Sequence, residues 1–154
     1  MDNKTKLIAF LASVLMFASC GKIISTDGRV DVIPIPNELS LNDGRFVLKS
    51  STPIAQTFEA EGMEYALNFW NSVTTDVLGC QLNVSSTTGP KKGAINILQD
   101  SSLEQEQYRL SVNKSSIDIA ASTANGVFYA FQTLRQMLPS AAFTEAGARI
   151  EIPA

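Results

Sequence analysis

Glu59, Glu61 and Glu64 form a short cluster of carboxylates, the raw material for acid–base work or for a calcium site. Their spacing argues for something plainer. They fall where a helix is expected to begin, and carboxylates in a first turn complement the positive end of the helix dipole. Glu104 and Glu106 are two residues apart, so along an extended chain they point to opposite sides and cannot share a substrate. The 154 residues contain no histidine, which removes Ser-His-Asp and Cys-His catalysis and H-E-x-x-H zinc chemistry together. Cys80 follows Gly79 beside Val77 and Leu78 and reads as a small buried hydrophobe rather than a reactive thiol. Tyr65, Phe69 and Trp70 could stack on a sugar ring, but helical spacing assigns them to a face buried on a sheet. Asn83-Val84-Ser85 and Asn113-Lys114-Ser115 match glycosylation sequons, which by themselves assign no function. No glycine-rich phosphate loop is present, and Lys91-Lys92 sits in a Gly-Pro-Lys-Lys-Gly turn. A net charge of −3 without a basic run also speaks against nucleic acid. The expected catalytic, cofactor and metal residues are therefore none.

The elements are written more clearly than any site. Tyr108, Leu110 and Val112, then Ile117, Ile119 and Ala121, alternate with period two around the turn Asn113-Lys114-Ser115-Ser116, which predicts a half-buried hairpin. The period then becomes helical at Val127, Phe131, Leu134 and Leu138, with Phe128 widening the stripe and Pro139 ending it. Ser122 or Thr123 can cap this helix, and Gly126 in its first turn would let another backbone come close. A first helix is expected over residues 60–78, from Met63, Ala66, Leu67, Trp70, Val73 and Val77, stopped by Gly79. Strands are expected at residues 30–35, 81–85, 94–98 and 149–154, with a hairpin around Asp43-Gly44 joining 39–41 to 46–48. The fold class is α+β: a mixed or antiparallel sheet with two helices on one face, in the order β-β-α-β-β-β-β-α-β.

The run from Tyr108 to Pro139 resembles the end of the N-terminal domain that precedes the barrel in glycoside hydrolase family 20, the β-N-acetylhexosaminidases. The pattern there is Y-x-L-x-V, then I-x-I-x-A, then G-x-F-Y-G-x-Q-T-L-x-Q-L-L. Here it stands as Tyr108 to Val112, Ile117 to Ala121 and Gly126 to Leu138, with Ala130 for the second glycine and Met137 for a leucine. Upstream, Val32-Ile33-Pro34-Ile35-Pro36 looks like the family's P-x-P entry to its opening strand. Family 84 hexosaminidases and family 67 glucuronidases carry related N-terminal domains. The resemblance implies that the chemistry belongs to a following barrel, whose adjacent Asp-Glu pair orients the substrate acetamido group and protonates the leaving oxygen. Nothing here matches that pair, and 154 residues leave no room for a barrel of roughly 200 residues or more. This chain is expected to be inactive alone, touching glycan only within an intact enzyme.

Lys4 and Lys6, the apolar run from Leu7 to Phe17, and Ala18-Ser19-Cys20 read as a bacterial lipoprotein signal. The expected division is residues 1–19 as signal peptide, 20–29 as tether and 30–154 as the α+β domain, with lipid attached to Cys20. Removing Asp2, Lys4 and Lys6 takes the net charge from −3 to −4. The expected partners are a membrane, through Cys20, and a family 20 barrel. The expected location is the cell envelope at the outer membrane, on its periplasmic face, because Gly21-Lys22-Ile23-Ile24 lacks an acidic export patch. Two classes stay open: an accessory module of a hexosaminidase, or a stand-alone lipoprotein that binds glycans or a partner protein.

Overall fold

A computed structural model describes residues 22–25, 30–145 and 149–154; the signal segment and Cys20 lie outside the described residues. The elements run β1 (Ile23–Ser25), β2 (Arg45–Leu48), β3 (Ile54–Gln56), α1 (Met63–Leu78), β4 (Val84–Ser86), β5 (Ile95–Gln99), β6 (Tyr108–Val112), β7 (Ile117–Ala121), α2 (Ala124–Gln136) and β8 (Arg149–Pro153). A short 3₁₀ turn at Ser140–Phe143 leads out of α2. Gly79 ends α1 in the left-handed conformation, φ 75°, and its N–H donates to the Thr75 carbonyl at 3.0 Å, as a glycine stop requires. Thr123 caps α2, accepting from the Gly126 N–H at 3.4 Å.

The fold class is α+β as the sequence implied, but the strands divide between two sheets. The larger has the order β4-β3-β5-β7-β6, parallel except for the antiparallel β6–β7 hairpin. The smaller has β8 at its centre, parallel to β1 and antiparallel to β2. Hairpin register pairs Tyr108 with Ala121 and Val112 with Ile117, which puts Val112, Leu110, Ile117 and Ile119 on one face. That face, with Ile95 and Ile97 of β5, packs under α1 and α2. Phe131, Leu134 and Val127 of α2 are fully buried, as is Trp70 of α1. Burying each such side chain is worth about 1.5–3 kcal/mol. Phe46 and Leu48 of β2, with Ile150 and Ile152 of β8, join the same core from the small sheet.

Three expectations need correction. Residues 30–35 and 39–41 are not strands: residues 30–42 form an irregular strap, since Pro34 and Pro36 carry no N–H for a ladder. Asp43-Gly44 therefore does not close a hairpin, and β2 pairs with β8, from the far end of the chain. Second, Ile23–Ser25, inside the stretch expected to be a tether, is β1 and is hydrogen-bonded into the small sheet. Third, β3 has no counterpart among the expected strands. Its residues are buried throughout, Ile54, Ala55 and Gln56 alike, so it shows no alternation to read.

Candidate functional site

The two helices lie against each other, and their seam sorts the aromatic residues. Trp70 faces inward and stacks on Phe131, with ring centroids 5.1 Å apart and planes 7° from parallel. Its Nε1 is buried and unpartnered, so this ring is core and offers nothing to a sugar. Tyr65 and Phe69, one turn apart on α1, point the other way. Tyr65 meets Phe128 of α2 at 5.2 Å and Phe69 meets it at 5.0 Å, edge to face. Tyr129 extends the group, its ring 5.8 Å from that of Phe128. Tyr65 is 68% exposed and Tyr129 39%, so these two rings, with the half-buried Phe69 and Phe128 between them, form an aromatic patch on the outer side of the helix pair. An exposed cluster of large aromatics is the composition of a surface that another protein covers.

Helical spacing assigns Tyr65, Phe69 and Trp70 together to the buried face, whereas the structure buries Trp70 fully, half-buries Phe69 and exposes Tyr65. Helical arithmetic could have separated them. At about 100° per residue, Tyr65 lies about 200° from Met63, while Ala66, Trp70, Val73 and Val77 keep to the Met63 side. Glu59, Glu61 and Glu64 are exposed or nearly so around the start of α1, and Glu64 sits in its first turn. Among the described residues no group of three or more His, Cys, Asp or Glu side chains could hold a metal ion. Cys80 is half-buried, its Sγ 4.0 Å from the Ser50 carbonyl. Asn113 spends its carboxamide oxygen on the turn, accepting from the N–H groups of Ser115 and Ser116 at 2.9 and 3.0 Å. Lys91 is held by its backbone: its N–H donates to Asn96 Oδ1 at 2.8 Å, and its carbonyl accepts from Asn96 Nδ2 at 3.1 Å.

An open groove of about 1080 Å³ runs between the 30–42 strap and the free edge of β6, lined by Val32, Ile35, Leu39, Tyr108, Leu110 and Met137. Tyr108 and Thr133 share a hydroxyl–hydroxyl bond of 2.6 Å at its wall. Gln136 clamps the strap to α2, with Oε1 accepting from the Ile33 N–H at 2.9 Å and Nε2 donating to the Ile33 carbonyl at 3.1 Å. Ser102 and Arg109 hold the Asp100 carboxyl below its usual range. The Ser102 hydroxyl and N–H donate to it first, with Arg109 adding a charge. It is half-buried and builds a turn.

Residues 29–153 match the family model described as glycosyl hydrolase family 20, domain 2. The chain is 28% identical over 116 residues to a β-hexosaminidase of Porphyromonas gingivalis, covering 74% of this chain and 15% of that protein. Its fold is similar to part of the GH20 β-N-acetylhexosaminidase of Streptomyces coelicolor A3(2), with a TM-score of 0.66 and 22% identity over 80% of this chain and 25% of that one. It is also similar to part of a β-N-acetylhexosaminidase of Bacteroides fragilis, with a TM-score of 0.55 and 24% identity over 79% of this chain and 24% of that one. The chain thus spans a quarter or less of the length of each.

Proposed function

Because the chain belongs to glycosyl hydrolase family 20, of which it is domain 2, we propose that it braces the catalytic domain of a β-N-acetylhexosaminidase and performs no hydrolysis itself. The observation that carries this reading is the aromatic patch on the outer face of the helix pair, in which Tyr65 and Tyr129 are exposed and Phe69 and Phe128 are half-buried beneath them. Each of these rings can bury 150–250 Å², and aromatic side chains dominate the energetics of most protein interfaces. A rigid two-helix face backed by a closed core is suited to buttressing a larger domain, because it loses little conformational freedom on docking. The substrate, terminal N-acetylhexosamine residues of glycans, is met by the catalytic domain in this proposal.

The second part of the proposal is anchorage. Acylation of Cys20 would tether the domain to the cell envelope, at the periplasmic face of the outer membrane, since two or more acyl chains hold stably where one is marginal. Among the described residues no helix is long and apolar enough to cross a membrane. An aryl N-acetylglucosaminide assay on the purified chain tests the catalytic part. No turnover above a blank is expected. Turnover that vanished on replacing a carboxylate of this chain would overturn the reading.

A further inference from the structure

The small sheet gathers basic residues at one end. β1 and β8 run parallel with Ile23 beside Arg149, while β2 runs against β8 and ends with Leu48 opposite Ile150. Lys49 follows Leu48, so it lies on the other flank of Arg149. Lys22 precedes Ile23, and its backbone carbonyl accepts from the Arg149 N–H at 3.0 Å. Its ammonium pairs with Glu145 yet stays 68% exposed, and Lys49 and Arg149 are exposed as well. Three cations with one carboxylate among them reverse, locally, the net charge of −3 carried by the chain. Beside Arg149 on the outward face, Ile23 leaves 51% of its surface in water, while Ile24 turns into the core at 6%. An exposed apolar side chain flanked by cations is what an anionic headgroup layer receives well.

Chain connectivity adds a second argument. Gly21 and Lys22 alone separate Cys20 from Ile23. An extended chain advances at most about 3.3–3.6 Å per residue, so Cys20 stays within about 10 Å of β1. β1 is paired with β8 along its length. An acyl group on Cys20 would therefore hold this end of the sheet at the bilayer, with no slack for the domain to tumble.

We infer that the Lys22, Lys49 and Arg149 end of the small sheet is a membrane-contact surface for anionic lipid headgroups, pressed to the bilayer in one orientation by the anchor. The inference rests on the proposed acylation of Cys20. The other end of the sheet, where the Ala154 N–H donates to the Gly44 carbonyl at 3.1 Å, then faces away from the membrane. Along β2 the two ends are roughly 20 Å apart, at about 3.4 Å per residue.

Full-length lipidated protein in a Cys80→Ala background tests this. It would carry a fluorophore at Ser50→Cys, beside Lys49, or at Asp43→Cys, at the opposite end, both positions being exposed. The host is a phosphatidylethanolamine–phosphatidylglycerol vesicle with a headgroup-attached quencher. The label at position 50 is expected to be quenched several-fold more than the label at position 43. The gap should shrink in the Lys49→Glu, Arg149→Glu protein and close with a flexible Gly-Ser insert after Gly21. Equal quenching at the two sites in protein that does partition would overturn the inference and leave acylation standing. A gap indifferent to both charge reversals would overturn the role of the cations. Protein as soluble as its Cys20→Ser variant would overturn the anchor and the orientation together.

Discussion

Replacing Gly126 by alanine sets two effects of known sign against each other. Alanine is the better helix former by about 1 kcal/mol, so propensity alone favours the change. Packing opposes it. A Cβ at position 126 would stand 2.5 Å from the Gln107 carbonyl oxygen and 3.0 Å from the Ala121 Cβ. The first of these neighbours is backbone and cannot rotate away. It is also pinned: Ser122 Oγ donates to the Glu104 carbonyl at 3.1 Å, Thr123 Oγ1 donates to the Gln105 carbonyl, and the Gln107 N–H donates to Glu104 at 3.0 Å. Relief requires moving the start of α2 or the 104–107 turn, which loosens these bonds at about 0.5–1.5 kcal/mol each. Overpacking itself costs about 1–3 kcal/mol. The net expectation for Gly126→Ala is a loss of about 1–3 kcal/mol. With a urea slope of about 1–3 kcal/mol per molar, the midpoint should fall by about 1 M. Trp70, the single tryptophan and fully buried, reports unfolding directly. Two glycines serve as comparators. Gly79→Ala meets no atom but must hold φ near +75°, a strain of about 1–2 kcal/mol. Gly89→Ala meets no atom and needs no positive φ, so it should be neutral or slightly stabilising. A Gly126→Ala midpoint at or above that of Gly89→Ala would refute the close approach of helix and turn.

Phe131→Ala removes the ring stacked on Trp70 and should cost about 3–5 kcal/mol, a large part of an ordinary domain's stability, with a shift in Trp70 emission. Asn96 is fully buried and its Nδ2 donates to Asp118 Oδ1 at 2.6 Å, so Asn96→Asp sets a carboxylate against a carboxylate. Burial and the like charge would raise the new group's pKa, so the variant should be weakest at neutral pH and recover towards acid, as read from urea midpoints across pH. Asp100 has its folded-state pKa depressed, mainly by Ser102, so its contribution to stability is present above the ordinary carboxyl pKa of about 3.9 and fades as pH falls through the lowered value. An NMR titration should find Asp100 titrating below the ordinary carboxyl value of about 3.9, and Ser102→Ala should move it upward.

The hairpin and α2 were legible because each carries its own period over many residues. Tyr108 to Ala121 alternates and closes on a local turn, and Val127, Phe131 and Leu134 mark one helical stripe. The cap at Thr123 and the close approach at Gly126 were legible for the same reason: both are local chemistry. The strands at 46–48 and 149–154 were legible, but their pairing in the small sheet and the third strand were not. β1 and β8 are more than a hundred residues apart, and a three-residue strand such as Ile23–Ser25 has no signature until its partner is known. Asp43-Gly44 looked like a hairpin turn, yet the strap before it carries two prolines and cannot pair. The candidate docking face was hidden by composition. Tyr65, Phe69 and Trp70 are all large aromatics within two turns of helix, and only their angular positions distinguish Trp70 in the core from the half-buried Phe69 and the exposed Tyr65.

The central claim, that the aromatic helix face docks a catalytic domain, is tested most directly in a chimera. Residues 30–154 would replace the matching segment of the Porphyromonas gingivalis β-hexosaminidase, and thermal unfolding and activity would be compared with and without Tyr65→Asp and Tyr129→Asp. These two rings are the exposed members of the patch, and losing their contacts with Phe128 should cost the isolated chain about 0.5–1.5 kcal/mol each without breaking its single transition. In the chimera the account predicts that the same pair of charges lowers the melting temperature and splits one cooperative transition into two. A chimera that melts and turns over substrate identically with and without them would contradict it.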